Sequence, residues 1–401
     1  MRVEVRTCGA DELAAALSPI WHYFGRAADE ESVAQLGRIL PAERVHAAAD
    51  DGAVVGGAGA YLFETTVPGG KRVPTAGVMA VGVLPTHRRR GILRGLMRKQ
   101  LDDVHEWGQP LATLYASEGA IYRRFGYGPA SISGTIAPNH AHASFYDDPG
   151  PAGRARMVSY DEALELMPPI YDRVAAETPG MLSRTRDWWE VRRLATGPFS
   201  KGEQMRVLLE VDGTPDAYAL YRIEFDMENG ISRSVLQVGE AVGATAAATR
   251  DIWRFLFNVD WVETVRAPFI PPDHPLFLLL AEPRRMGYVA GEALWARLVD
   301  VGGALSARGY AGEDSVVLDV RDEFCPWNEG RWEVGPGGAQ RSKAEADLRL
   351  GVDMLGSVYL GGFTFAQLER AGRLEELRSG ALGRADALFR ADRHPWCPEI
   401  F

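Results

Sequence analysis

Cysteine is scarce and badly placed for pairing. Cys8, Cys325 and Cys397 are the three cysteines in 401 residues. Their number is odd, their spacings are long, and none forms the close pair that holds a metal. A disulfide scaffold is thereby excluded, and free thiols in a reducing compartment are expected. No apolar run is long enough to cross a bilayer. The start, Met1-Arg2-Val3-Glu4-Val5-Arg6-Thr7, alternates like a strand and does not read as a signal peptide. The cytoplasm is the expected location. Positive charge is also short: 44 Lys and Arg against 54 Asp and Glu give a net charge of −10. A surface of that sign repels a phosphate backbone, so nucleic acid is not an expected partner. Cationic partners such as amines are compatible with it. His140 and His142 stand two apart, but no Cys or carboxylate set completes a site, and no metal is expected. Low-complexity tracts, heptads, a Gly-x-Ser-x-Gly elbow and a nucleotide P-loop are all missing.

What is present is ordinary globular material, 46% hydrophobic and 24% charged. A chain this long predicts two or three domains. The first third alternates strands and helices. Arg2 to Arg6, Arg44 to Ala49, Ala53 to Glu64 and Thr75 to Val83 read as strands, with Gly69-Gly70 as a hairpin signal. Asp11 to Leu17 and Glu31 to Leu40 read as helices, capped by Asp11 and Asp29. Gly91 to Trp107 is a strong helix, Leu111 to Ala116 a buried strand, and Glu118 to Phe125 a short helix stopped by Gly126. Asn139 to Arg154, rich in His, Asp, Gly and Pro, reads as a link.

A second unit follows. Tyr160 to Ala176, Thr185 to Ala195 and Ala246 to Asn258 read as helices. Met205 to Val211, Ala217 to Phe225 and Ser232 to Val238 read as strands. The last unit starts near Leu294, with strands at Leu294 to Val299, Ser315 to Val320 and Gly330 to Val334. A glycine-rich loop at Gly335 to Arg341 comes next, then helices at Val352 to Leu360 and Thr364 to Ala371.

The stretch Val81-Gly82-Val83-Leu84-Pro85-Thr86-His87-Arg88-Arg89-Arg90-Gly91-Ile92-Leu93-Arg94 carries chemistry. A strand ends at Val83, Pro85 stops it, and an arginine-dense turn enters a helix at Gly91. First-turn N–H groups lack intrahelical partners, and the helix dipole favours an anion there. Arginines at a helix start oppose that dipole, so helix stability does not explain them; a phosphate ligand does. His87 reads as orienting this turn. A solvated basic patch is the competing reading of the arginines alone.

In that order, Arg88-Arg89-Arg90-Gly91-Ile92-Leu93 resembles the signature of the GNAT superfamily of acetyltransferases. The resemblance implies that this loop holds the pyrophosphate of coenzyme A. It also implies that the backbone at Val81, Gly82 and Val83 pairs with the pantetheine arm. The second block, Leu114-Tyr115-Ala116-Ser117-Glu118-Gly119-Ala120-Ile121-Tyr122-Arg123-Arg124-Phe125-Gly126-Tyr127, matches the same superfamily. There the tyrosine at the position of Tyr122 lies by the thioester sulfur and protonates the departing thiolate. Ser117 and Glu118 fall on coenzyme-binding positions. A phenol with a pKa near ~10 is a proton donor at neutral pH. A ring that merely packs is the competing role for Tyr122, and Tyr127 reads as structural.

The match is closest to the Eis (enhanced intracellular survival) acetyltransferases of actinobacteria. It extends through Ala217-Tyr218-Ala219-Leu220-Tyr221-Arg222 and Leu355-Gly356-Ser357-Val358-Tyr359-Leu360-Gly361-Gly362 to the ending Glu399-Ile400-Phe401. The implied fold class is α/β (α+β). Residues 1–145 form a catalytic GNAT domain, and 146–290 a GNAT-like domain without the coenzyme motif. Residues 291–401 form a domain like sterol carrier proteins. Its carboxyl end, Phe401, enters the active site as general base, and Trp396, Pro398 and Ile400 suit a docked rather than a solvated tail. The resemblance further implies acetyl-CoA as co-substrate, a primary-amine acceptor of aminoglycoside, polyamine or lysine type, and a homo-hexamer. Direct transfer in a ternary complex is expected, since no nucleophile elbow is present. The third domain is expected to deliver the C-terminus and build the oligomer rather than to hold lipid. Val78, Met79 and Ala80, and Trp21-His22-Tyr23-Phe24, depart from the family and reshape the acceptor pocket. A non-catalytic acyl-CoA or lipid binder, and a transferase with a longer acyl donor, are the alternatives.

Overall fold

The computed structural model describes residues 3–25, 27, 29–195 and 202–401. They fall into two compact units: 1–131 with 293–392 and 399–401, and 132–292 with 393–398. The chain passes from one to the other after Ser131, ahead of the His- and Pro-rich stretch that reads as a link. Each unit is α/β, as the sequence implies. Among the described residues no helix is long and apolar enough to cross a membrane.

The first unit is built on a seven-stranded sheet. Its order is Glu4–Thr7, Val45–Asp50, Ala53–Thr66, Arg72–Val83, Leu111–Tyr115, Leu294–Leu298 and Gly128–Pro129. The strand expected from Arg2 is seen from Glu4, and Arg2 lies outside the described residues. The central pair is a long hairpin closed by Gly69 and Gly70, which take φ of 93° and 79°. Helix Ile92–Glu106 buries Ile92, Leu96, Met97, Leu101 and Val104 against it. That is a 3.6-period stripe, and each such side chain is worth about 1.5–3 kcal/mol when buried.

Two local readings are corrected. The first long helix starts at Leu13, behind a short turn at Ala10–Glu12, and Asp11 does not cap it. Glu12 instead reaches back to the Gly9 N–H at 3.1 Å, which satisfies a donor at that turn. Asp29 does cap the next helix, Glu30–Gly37, by accepting from Ser32 N–H at 2.8 Å. The glycine-rich stretch at 335–341 is a hairpin arm rather than a loop, because Gly338–Arg341 pairs with Gly330–Gly335.

Leu294–Leu298 reads in sequence as the opening of the last unit. It joins the first sheet, antiparallel to Leu111–Tyr115 and to Gly128–Pro129. All five of its residues are buried. One of them, Arg297, is fully covered, and its Nη2 donates to Asp322 at 2.8 and 3.0 Å. Asp322 also accepts from Asn328 Nδ2 at 2.9 Å and from Cys325 N–H at 3.0 Å. A buried carboxylate needs such a full set of donors. The rest of this unit is a five-stranded sheet in the order Gly338–Arg341, Gly330–Gly335, Val316–Arg321, Leu348–Gly351, Leu374–Glu376, with helix Val352–Tyr359 buried beside it at every residue but Asp353.

The second unit has its own seven-stranded sheet: Val289–Glu292, Ile132–Ile136, Thr264–Ile270, Val235–Gly243, Thr214–Glu224, Met205–Val211, Gly153–Met157. Two helices flank it, Tyr160–Ala175 and Ala246–Phe257. Its core contains a closed ionic knot. Glu240 is held by Arg184 at 2.6 Å, Arg193 at 3.1 Å and the Tyr218 hydroxyl at 3.0 Å.

Candidate active site

The sheet of the first unit opens at one place. Arg72–Val83 runs parallel to Leu111–Tyr115, but only Thr75, Ala76 and Gly77 pair with Leu111, Ala112 and Thr113. Beyond Gly77 the two strands part. The facing edge of Val78 to Val83 has no ladder partner among the described residues, although the Val83 carbonyl already accepts from the Tyr23 hydroxyl at 2.7 Å. On its other edge the same strand has a bulge between Gly57 and Gly59, where Ala80 takes φ of 52°. An alanine in the left-handed region is a strained position, held there by the pairing around it. The sequence singles out Ala80 only as a departure from its relatives, not as a bulge. The side chains of Val81 and Val83 pack into the core, so these residues present backbone to the gap.

The open edge leads into the arginine turn. Leu84 N–H donates to Val55 O at 2.8 Å, and a short turn at Pro85–His87 follows. Asp50 anchors the turn: it lies 2.9 Å from Arg90 and 3.5 Å from His87, whose other nitrogen meets Thr86 at 2.8 Å. His87 thus has the orienting position read from sequence. Arg88 and Arg89 are exposed and, among the described residues, carry no ion pair. Arg94 lies over the Phe324 ring at 5.3 Å.

Gly91 caps helix Ile92–Glu106 at φ of 80°, with no side-chain cap and no acid in the first turn. A Cβ on Gly91 would meet nothing within 4 Å. The glycine is therefore required by its left-handed φ, not by crowding. Ile92 and Leu93 drive their side chains into the core and leave their N–H groups at the turn. The result is an uncapped helix start flanked by unpaired guanidiniums. Such a site fits a pyrophosphate.

Next along the chain, Glu118 precedes helix Gly119–Tyr122 and is exposed. Tyr122 is buried at 7% exposure, edge-on to Tyr127 at 6.1 Å. Burial pushes the Tyr122 phenol above its usual pKa, partly offset by a hydrogen bond with Ser117. At neutral pH it is protonated and able to donate.

Phe401 lies with three other aromatic rings: Phe63 at 5.3 Å, Tyr115 at 5.8 Å and Tyr61 at 6.3 Å, all edge-on or nearly so. Gly77 makes room, because a Cβ there would stand 2.4 Å from Phe63 and 3.3 Å from Phe401. The C-terminus is thus seated on strands of the first unit. Strand alternation sets the two candidate groups on opposite faces. Tyr122 belongs to the buried cluster that contains Ala60, Ala76 and Ala112, whereas the Phe401 ring lies against Tyr61, Phe63 and Tyr115. Sequence reading missed Tyr61, Phe63, Tyr115 and Gly77, since nothing local marks them.

Splayed strands, a bulge, an uncapped arginine turn and a buried tyrosine are the features expected where an acetyltransferase fold takes its acyl-coenzyme. Residues 4–130 match a family model described as an acetyltransferase (GNAT) domain, and residues 180–298 match another of the same description. Residues 301–398 match a sterol carrier protein domain. An uncharacterized N-acetyltransferase of Streptomyces avermitilis is 37% identical across all of both chains. N-acetyltransferase Eis of Mycobacterium tuberculosis is 35% identical over 86% of this chain and 85% of its own. The chain belongs to the Eis family of GNAT N-acetyltransferases. Eis1 from Mycobacterium abscessus superposes with a TM-score of 0.87 at 34% identity, over 99% of this chain and 100% of that one. The Eis-family fold of two GNAT domains and a sterol-carrier-like domain is therefore the fold of this chain. Acetyl-CoA use follows from the GNAT fold, and the arginine turn has the donor set for it.

Proposed function

We propose that this chain transfers the acetyl group of acetyl-CoA directly to a primary amine in a ternary complex. The observation that carries this reading is the gap beyond Gly77, with buried Tyr122 packed on one face and Phe401 on the other. The co-substrate supplies an activated thioester. Arg88 and Arg89, with the N–H groups of Ile92 to Arg94, hold its pyrophosphate, with Ser117 and Glu118 beside it. The open edge of Val81 to Val83 pairs with its pantetheine arm. Tyr122 donates its proton to the sulfur as the C–S bond breaks. The Phe401 carboxylate takes a proton from the attacking amine.

An amine of lysine type has a pKa of ~10.4 and a free α-carboxylate one of ~3.3–3.7. The carboxylate is thus a weak base, and its main work is electrostatic, on the ammonium that forms as the amine attacks. The acceptor face is aromatic, made of Tyr61, Phe63, Tyr115 and Phe401. That suits an amine carried on a ring or an aliphatic chain: an aminoglycoside, a polyamine or a lysine side chain. We further propose a cytoplasmic homo-hexamer, for which solution mass is the check.

Thiol release from acetyl-CoA, measured over a panel of these amines, tests the reading. Tyr122→Phe is expected to lower kcat by about 10²-fold or more while acetyl-CoA affinity holds. Removing Phe401 is expected to lower kcat as well. Donor binding without turnover on any amine would replace this reading with a non-catalytic binder or a longer-chain donor.

A further inference from the structure

The second unit repeats the splay of the first. Val235–Gly243 runs parallel to Thr264–Ile270, but only Val235, Leu236 and Gln237 pair, with Thr264, Val265 and Arg266. The strands then part, as they do beyond Gly77. The repeat extends to the bulge: Val235–Gly243 breaks register with Thr214–Glu224 between Val238 and Glu240, opposite Leu220 and Tyr221. Here, too, a residue near the gap is left-handed, Phe269 at φ of 58°.

The helix start that would take a phosphate is closed, however. Thr245 Oγ1 accepts from Ala248 N–H at 3.2 Å and donates to Asp216 at 2.5 Å. The cap is made by the chain itself, and a carboxylate stands beside it.

The gap is not empty. Gly239 and Glu240 from one strand and Phe269 and Ile270 from the other line a cleft together with Trp396 and Pro398 of the C-terminal segment. That segment has no regular secondary structure, yet Pro395, Cys397 and Pro398 are buried. It is fixed by named bonds. Trp396 Nε1 donates to Phe269 O at 2.6 Å, and Trp396 N–H donates to Pro179 O at 2.8 Å. His394 N–H donates to Asp273 at 2.8 Å, and Arg393 pairs with Glu177 at 2.9 Å. Gly180 admits the segment: a Cβ there would stand 3.2 Å from Trp396 O.

We infer that the splayed cleft of the second unit is the seat of the chain's own C-terminal segment, and that Trp396 is a positioning residue for Phe401. The cleft that holds an extended acyl-CoA arm in the first unit holds an extended peptide in the second. Self-occupation by residues 396–398 accounts for a splay and bulge kept on a unit whose anion site is capped and faced by an acid. The role of Trp396 rests on the proposed catalytic part of Phe401, a few residues farther along the chain. Misplacing a reacting group by about 1 Å can cost about 10²-fold in rate.

The test uses the full chain as Trp396→Ala, Trp396→Phe and a Phe401 deletion. Steady-state kinetics are combined with timed trimming by carboxypeptidase A, followed by intact mass. Trp396→Ala is expected to lower kcat by about 10²-fold with the acetyl-CoA KM held, and to lose Phe401 to the peptidase much faster than the parent chain. Trp396→Phe keeps a ring but drops the N–H donor, and is expected to recover part of both. A general loss of folding would instead lower Tm, which local release of the tail would leave nearly unchanged. Unchanged kcat and unchanged trimming in Trp396→Ala would overturn the inference. So would binding of two acetyl-CoA molecules per parent chain. If the Phe401 deletion keeps full activity, the base role falls, and trimming alone then decides whether the cleft seats the tail.

Discussion

Tyr122 shows how one residue's surroundings set its chemistry. Its phenol is raised above the ordinary value mainly by burial, and Ser117 works against that shift. A donor must be protonated to act, so its contribution is present at low pH and is lost only as pH rises through the raised value. The kcat profile is therefore expected to show no fall owed to Tyr122 below pH ~10, the midpoint of an unperturbed phenol. Rates measured from pH 7 to 10 on the parent and on Tyr122→Phe check this. A falling limb centred below that value, and absent from Tyr122→Phe, would contradict the assignment. Tyr127 takes no such part: it is fully buried, and its hydroxyl has no hydrogen-bond partner among the described residues.

The Leu294–Leu298 strand is the element on which the first unit depends. It lies between Leu111–Tyr115 and Gly128–Pro129, the strands that bracket Tyr122 in the chain. Arg297 locks it in register through Asp322. The guanidinium also packs behind the turn after Tyr122, since a Cβ on Gly126 would stand 2.2 Å from Arg297 Nη1. Arg297→Met leaves Asp322 buried without its cation and is expected to cost about 3–5 kcal/mol. Adding Asp322→Leu is expected to recover much of that loss, because the stranded charge is gone. Denaturant unfolding of the single and double variants measures both. A loss below about 1 kcal/mol in Arg297→Met would mean that Asn328 and the Cys325 N–H satisfy the carboxylate without it.

At the scale of the whole molecule, acid is the expected weakness. Burial lowers the pKa of His274 to about 4, and it also lowers those of His46 and His394. In the unfolded chain each returns to ~6.5. As pH falls through that value the unfolded chain takes up protons that the folded chain refuses, so stability declines as pH drops from about 6.5 towards 4. Each such group removes at most about 1.4 kcal/mol per pH unit in that window. Thermal melts at stepped pH should show Tm falling there, with His274→Gln flattening the fall. A Tm constant from pH 7 to 5 would show that these imidazoles are no more costly to protonate in the folded chain than outside it.

The arginine turn and its uncapped helix start were legible because their parts are contiguous. Strand end, proline, arginines, Gly91 and helix start follow one another from Val81 to Arg94, and the donors that matter are backbone N–H groups set by local geometry. The short helix that carries Tyr122 was legible for the same reason, from the run ending in Phe125-Gly126-Tyr127. The units as a class of fold were legible from period and resemblance. What the sequence could not decide was partnership. Leu294–Leu298 is apolar on both faces apart from Arg297, and such a strand carries no mark of which sheet will take it; only pairing with residues some 180 positions away settled that. Tyr61, Phe63, Tyr115 and Phe401 become one cluster only when three strands and the chain end are brought together. Trp396 reads as a residue of a docked tail, but its seat, a second splay with its anion site capped by Thr245, exists only once Val235–Gly243 and Thr264–Ile270 have paired and parted. Local backbone geometry is written in neighbouring residues, whereas the choice of a distant partner is made by packing.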